Sequence, residues 1–124
     1  MNSPPDSFGD SRKIIRTAST QFDEYDIEGP MQEDITWLRL SYDRKTGQGA
    51  YMMRMQPGAE TIRHVHKRRE EYLILEGDFI ESDGTVLGPG DYVIYMPETG
   101  HNSRTVNGCL LIGIDYSFSD LGTR

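Results

Sequence analysis

At 124 residues and 14.1 kDa the chain suits one domain, which at this size buries roughly two-thirds of its unfolded-state surface, and two domains are not expected. A net charge of −7 and a pI near 4.8 oppose the broad cationic face that nucleic-acid binding needs, so no nucleic acid is expected as a partner. The single cysteine, Cys109, excludes an intramolecular disulfide, and no stretch approaches the ~20 apolar residues of a membrane span. With no apolar leader segment in MNSPPDSFGDSRK, a soluble, cytoplasmic protein without a membrane partner is expected.

Residues 1–11 are rich in Ser, Pro, Asp and Gly and offer too little apolar surface to offset ordering, so they predict a flexible arm. Residues 12–124 are expected to form the domain. From residue 13 the chain reads as short extended runs: KIIRT, ITWLRLSY, AYMMRM, ETIRHVH, EYLILEG, FIES, TVL, DYVIYM and CLLIGIDY. Gly, Pro, Asn and Asp punctuate them. Asp83-Gly84 and Asn107-Gly108 suit tight hairpins, because these residues tolerate positive φ. No run carries helical periodicity over 11 to 18 residues, so the reading is all-β, a sandwich or barrel.

The stretch GAETIRHVHKRREEYLILEG, residues 58–77, carries the chemistry. If residues 60–66 are a strand, His64 and His66 share one face while Arg63, Val65 and Lys67 take the other. After a basic turn, Lys67, Arg68 and Arg69, the next strand puts Glu70, Tyr72 and Ile74 on one side, and Glu71 on the other. His101, after the turn that follows DYVIYM, is the third and last histidine. Imidazoles with a carboxylate form a mixed set that suits Fe, Mn, Zn, Ni or Cu, whereas an isolated His-x-His is more often incidental decoration.

Gly58, His64, His66, Glu70 and Gly77 match the first cupin motif, G-x5-H-x-H-x3-E-x6-G, at every spacing. The second motif is followed less closely, since Thr99 stands for its Gly, His101 comes one position early and Thr105 replaces Asn. Pro97 to His101 and Gly108-Cys109-Leu110-Leu111 resemble a cupin subgroup similar to the C-terminal cupin of anti-sigma factors and to β-diketone or hydroxyacetophenone-cleaving dioxygenases. The resemblance spans about residues 37–116. It implies a cupin-type double-stranded β-helix (jelly-roll) barrel with His64, His66, Glu70 and His101 around one divalent metal, Fe(II) favoured and Zn, Mn or Ni as alternatives.

The resemblance further implies a homodimer and an enzyme acting on a small oxygenated molecule. The first expectation is a dioxygenase cleaving a β-dicarbonyl or hydroxy-ketone, with Glu70 and Tyr72 as catalytic residues. A cupin-type isomerase or lyase, and a non-catalytic metal- and ligand-binding sensor, are the alternatives. Arg39 and Arg54 read as outward strand positions or anion partners. Met52, Met53, Met55 and Trp37 read as interior packing or a dimer face. The basic turn reads as a connector or intersubunit contact. Cys109 reads as a buried hydrophobe, with no spare histidine to activate it.

Overall fold

The structure is a computed structural model that describes residues 7–27 and 29–116. Its strands are, in chain order, β1 (Asp23–Tyr25), β2 (Gln32–Arg39), β3 (Gly49–Met55), β4 (His64–Val65), β5 (Glu70–Gly77), β6 (Phe79–Glu81), β7 (Val86–Leu87), β8 (Tyr92–Tyr95), β9 (Gly100–His101), β10 (Ser103–Arg104) and β11 (Cys109–Asp115). The helical content of the described residues is two single 3₁₀ turns, Gly9–Ser11 and Thr17–Ser19. No helix there is long and apolar enough to cross a membrane. Of the expected arm, residues 1–6 lie outside the described residues, as do residues 117–124 of the expected domain, while residues 7–11 are exposed.

The strands build an all-β jelly-roll whose paired neighbours are all antiparallel. One six-stranded sheet runs β1-β2-β3-β11-β5-β8, a three-stranded sheet runs β10-β6-β7, and β4 pairs with β9. Side-chain alternation divides the large sheet. Its inner face carries Ile35, Trp37, Tyr51, Met53, Met55, Tyr72, Ile74 and Leu111 into the core, joined by Phe79 and Tyr95. Trp37 anchors that core, with Tyr25, Tyr42 and Tyr51 set edge-on at centroid distances of 5.3, 5.2 and 5.7 Å. Edge-on aromatic pairs contribute about 0.5–1.5 kcal/mol each beyond area burial.

The outer face holds a smaller cluster of Leu38, Met52 and Leu110, with Ile15 and Phe22 packed on it. Met52 thus parts from Met53 and Met55, as alternation requires.

Three expectations are corrected here. The KIIRT run is not a strand: it leads into the turn Thr17–Ser19, where Thr20 Oγ1 donates to Arg16 O at 2.7 Å. Its apolar alternation instead lays Ile15 on the outer cluster and leaves Ile14 56% exposed. Residues 60–66 are not one continuous strand, since only His64–Val65 pairs as such, with one isolated bridge from Glu60 to Arg104.

Asp83-Gly84 does turn the paired β6 and β7, with Gly84 at φ +91°. Asn107-Gly108, by contrast, closes no hairpin, because β10 pairs with β6 whereas β11 pairs with β3 and β5. The Asp78 carboxylate accepts from Val106 N and Asn107 N at 2.8 and 2.9 Å, and Gly108 at φ +100° turns the chain into the other sheet.

Candidate metal centre

The short β4–β9 ladder sets the site, because its register places His64 directly opposite His101. Alternation then brings His66 back to the same side, while Arg63, Val65 and Lys67 are exposed. The backbone locks this turn from both directions, His66 N donating to Thr99 O at 2.8 Å and Glu98 N to His66 O at 2.6 Å. The three rings stand 4.7 to 4.8 Å apart, centroid to centroid. One nitrogen from each lies within 4.8 Å of the others. His66 and His101 are buried and His64 is half-buried.

Each histidine is held by its outer nitrogen. Nδ1 of His64 lies 2.8 Å from Ile62 O, Nδ1 of His66 lies 3.0 Å from Glu70 Oε1, and Nδ1 of His101 lies 2.9 Å from Glu81 Oε2. A carbonyl and two carboxylates only accept, so these contacts favour a proton on Nδ1 and leave Nε2 as the nitrogen turned toward a ligand. Burial alone would raise the Glu70 carboxyl, but side-chain hydrogen bonds with Asp115, His66 and Tyr72 outweigh it and hold the group below its usual range. Burial likewise opposes ionisation of Glu81, and hydrogen bonds from His101, Tyr95 and Ser103 reverse the balance.

Nε2 of His66 and Nε2 of His101 consequently face each other at 2.8 Å as two acceptors. A proton on one of them, or a metal ion bound by both, makes that arrangement favourable. Two nitrogens bound at right angles to one ion, each at about 2.1 Å, sit about 3 Å apart, so this pair fits a divalent metal. His64, His66 and His101 form a cluster able to hold one.

The structure places Glu70, expected among the ligands, on the far side of the His66 ring. There its Oε2 accepts from Tyr51 O–H at 3.0 Å. Tyr72 is buried on the same wall, edge-on to Phe79 and Tyr95. Burial, followed by the Glu70 charge, pushes its hydroxyl well above the ordinary tyrosine value, so it stays a proton donor. Glu71 turns to the other face, where it takes Arg69 Nε at 3.1 Å and the Tyr92 hydroxyl. Arg39 and Arg54 are exposed and point away, over Trp37 and Phe22.

Sequence reasoning missed Glu81, Tyr95, Tyr51 and Asp115. Tyr95 stacks on His66 at 4.9 Å and 16°, and with Ser103 donates to Glu81 Oε1 at 2.6 and 2.8 Å. The available signal for Glu81 was its place two residues after Phe79, which puts a carboxylate on the inward face of a strand.

Two cavities border the histidines. An open one of about 390 Å³ is bounded by His64, His66, Glu70 and Asp115 and by the turn of Lys67, Arg68 and Arg69. The other is a cleft among His64, Tyr72, Met53, Tyr25 and Ile62 with room for about 10 Å³.

Residues 14–115 match the family described as the ChrR cupin-like domain. No curated protein matches the chain significantly. Among solved structures, an RmlC-like cupin from Shewanella frigidimarina is 22% identical, with 95% of this chain and 96% of that one aligned at a TM-score of 0.64. The polyketide cyclase RemF from Streptomyces resistomycificus is 18% identical over 84% of this chain and 78% of that one, TM-score 0.69. The Rhodobacter sphaeroides complex of SigE with the anti-sigma ChrR aligns with 82% of this chain and 51% of that one, at 17% identity and a TM-score of 0.65.

Proposed function

The chain belongs to the ChrR cupin-like domain family, and from that premise we propose that it is a metal-dependent enzyme acting on a small oxygenated organic molecule, foremost a dioxygenase cleaving a β-dicarbonyl or hydroxy-ketone. The observation that carries this reading is the convergence of three histidines, one ring nitrogen of each within 4.8 Å of the others and Nε2 of His66 and of His101 2.8 Å apart, beside an open cavity of about 390 Å³. Three protein ligands leave coordination positions for a substrate, the arrangement of a catalytic rather than a closed structural site.

His64, His66 and His101 would hold the ion. Bound there, a divalent metal such as iron(II) would supply Lewis acidity toward two neighbouring substrate oxygens and redox chemistry toward dioxygen. Glu70 and Glu81 orient His66 and His101 and raise their basicity. The Tyr72 hydroxyl, kept protonated by burial, supplies a hydrogen bond within the protein wall that the cleft shares with His64. The tight cleft keeps bulk water from that side.

An isomerase or lyase would use the same ligands and the same opening but no oxygen. The fold shared with the anti-sigma ChrR supports a metal- and ligand-binding sensor as the non-catalytic reading. Oxygen uptake by iron-reconstituted protein over a panel of β-diketones and hydroxyacetophenones separates these. Uptake above that of a His64→Ala/His66→Ala variant is expected, and a flat panel removes the dioxygenase.

A homodimer is part of this proposal, supported by Tyr92 and Ile94, 50% and 54% exposed on the outer face of β8. Light scattering at working concentration checks it.

A further inference from the structure

Of the three asparagines, Asn107 alone precedes a glycine, and it stands exposed in the loop that carries the chain from β10 into β11. That pair has a chemistry of its own. Glycine has no Cβ to shield its nitrogen or restrict its backbone, so Gly108 N can approach the Asn107 side-chain carbon more closely than the nitrogen of any other residue would. We propose that Asn107 is a site of spontaneous deamidation and that the hydrogen bonds of Asp78 and Thr105 set its rate.

In this step Gly108 N gives up its proton to solvent and bonds to Asn107 Cγ, while the Cγ–Nδ2 bond breaks with loss of ammonia. Water then opens the cyclic imide at either carbonyl. Opening at Cγ leaves aspartate, and opening at the main-chain carbonyl leaves isoaspartate, with the chain now running through the side chain. Water enters, ammonia leaves, and nothing is oxidised or reduced.

The fold restrains both reacting groups. Gly108 N donates to Thr105 Oγ1 at 3.0 Å and Gly108 O accepts from Asp78 N at 3.0 Å, so the attacking residue is tied at both ends. Asn107 N is held by Asp78 Oδ1 at 2.9 Å, beside Val106 N on Oδ2 at 2.8 Å. Side-chain hydrogen bonds with Asn107 and Thr105 join these in keeping the Asp78 carboxyl below its usual range. Cyclisation therefore requires this loop to open, and a local opening suffices because Val106 and Asn107 are already exposed. The product works against the clamp. A new carboxylate lies beside that of Asp78 in a chain already at −7. Isoaspartate also adds a methylene to the main chain where Gly108 O lies so close to Gly77 that a Cβ there would overlap it. The next residue, Cys109, begins β11 and pairs with Met55 and Gly77, so this end of β11 should loosen.

Incubation of the purified chain in heavy-oxygen water at mildly alkaline pH tests this, read by peptide mapping and by isoaspartyl methyltransferase labelling. Heavy oxygen is expected at position 107, more slowly in the folded chain than in denaturant. Asp78→Ala should accelerate its entry about 10-fold, since the loop then opens without breaking the bonds to that carboxylate. Thr105→Val frees Gly108 N while keeping the side-chain shape, should act in the same direction, and covers the case in which Asp78→Ala fails to fold. Leu38→Ala destabilises the sheet from its outer cluster and should leave the rate unchanged, because a local opening does not pass through global unfolding. In aged protein the buried Cys109 thiol should react with an aromatic disulfide faster than in fresh protein. Equal rates in folded chain and denaturant, equal acceleration by Leu38→Ala, or no label at position 107 in either loop variant overturns the inference. A thiol that stays unreactive in fully modified protein overturns the loosening of β11.

Discussion

Glu81 holds the outer nitrogen of His101 at 2.9 Å from a strand that contributes no histidine. Its second oxygen is fixed by Tyr95 and Ser103. Replacing it by glutamine keeps the shape but allows the amide to present N–H to Nδ1, which favours the tautomer with its proton on Nε2. Glu81→Gln should therefore weaken metal affinity about 10–100-fold with little change in melting temperature of the metal-free protein, checked by competition with a chromophoric chelator.

Glu70→Gln distinguishes support from ligation. If Glu70 only orients His66, the visible spectrum of cobalt-substituted protein keeps its shape while affinity falls by a similar factor. A changed coordination spectrum would instead place Glu70 among the ligands.

Gly113 faces Tyr51 across β11 and β3, and a Cβ there would lie 2.5 Å from Tyr51 Cζ. Gly113→Ala must push the ring whose hydroxyl holds Glu70. Overpacking of this kind costs about 1–3 kcal/mol, and metal affinity should fall with it. Tyr51→Phe removes the hydroxyl without displacing the ring and should lower metal affinity severalfold while the core is kept. Urea melts and metal titrations of both variants check this.

Cys109 is buried, and that burial, with the nearby Asp78 charge, pushes its thiol up to about 12. The thiolate is the reactive form, so native protein at pH 8 should resist an aromatic disulfide reagent for as long as it stays folded and react at one thiol per chain in denaturant. Rapid reaction in the native state would contradict the packing of β11.

Asp78 is held below its usual carboxylate range, first by the Val106 N–H and then by Asn107, against a small opposing effect of burial. Its folded value lies below its unfolded one, so its contribution to stability is complete above about pH 4 and is lost as pH falls further toward the folded value. Asp78→Ala should cost about 1–2 kcal/mol at pH 7, as two backbone donors lose their acceptor. The gap between variant and parent should narrow in urea melts near pH 3.

Much of the architecture was legible in local pattern. Two-residue alternation in EYLILEG separates buried Glu70, Tyr72 and Ile74 from the outward Glu71, and the same rule puts Trp37 and Met53 inside and Met52 outside. KIIRT misled because alternation records which residues seek burial, not whether a partner strand is present to pair with them. Asn107-Gly108 misled because a turn dipeptide sets a backbone bend and not the sheet that the next strand joins.

By itself the sequence determined the all-β class, the facing of His64 and His66, and His101 as the remaining histidine, because side-chain alternation and motif spacing are local properties of the chain. Tertiary structure decided which groups stand behind the three histidines. Glu81 reaches His101 and Tyr51 reaches Glu70 across 20 and 19 residues of chain, through strand pairings that no local spacing encodes. It also decided that Lys67, Arg68 and Arg69 border an open cavity of about 390 Å³ beside the histidines, because the pairing of β11 with β5 brings Asp115 against residues 64–70.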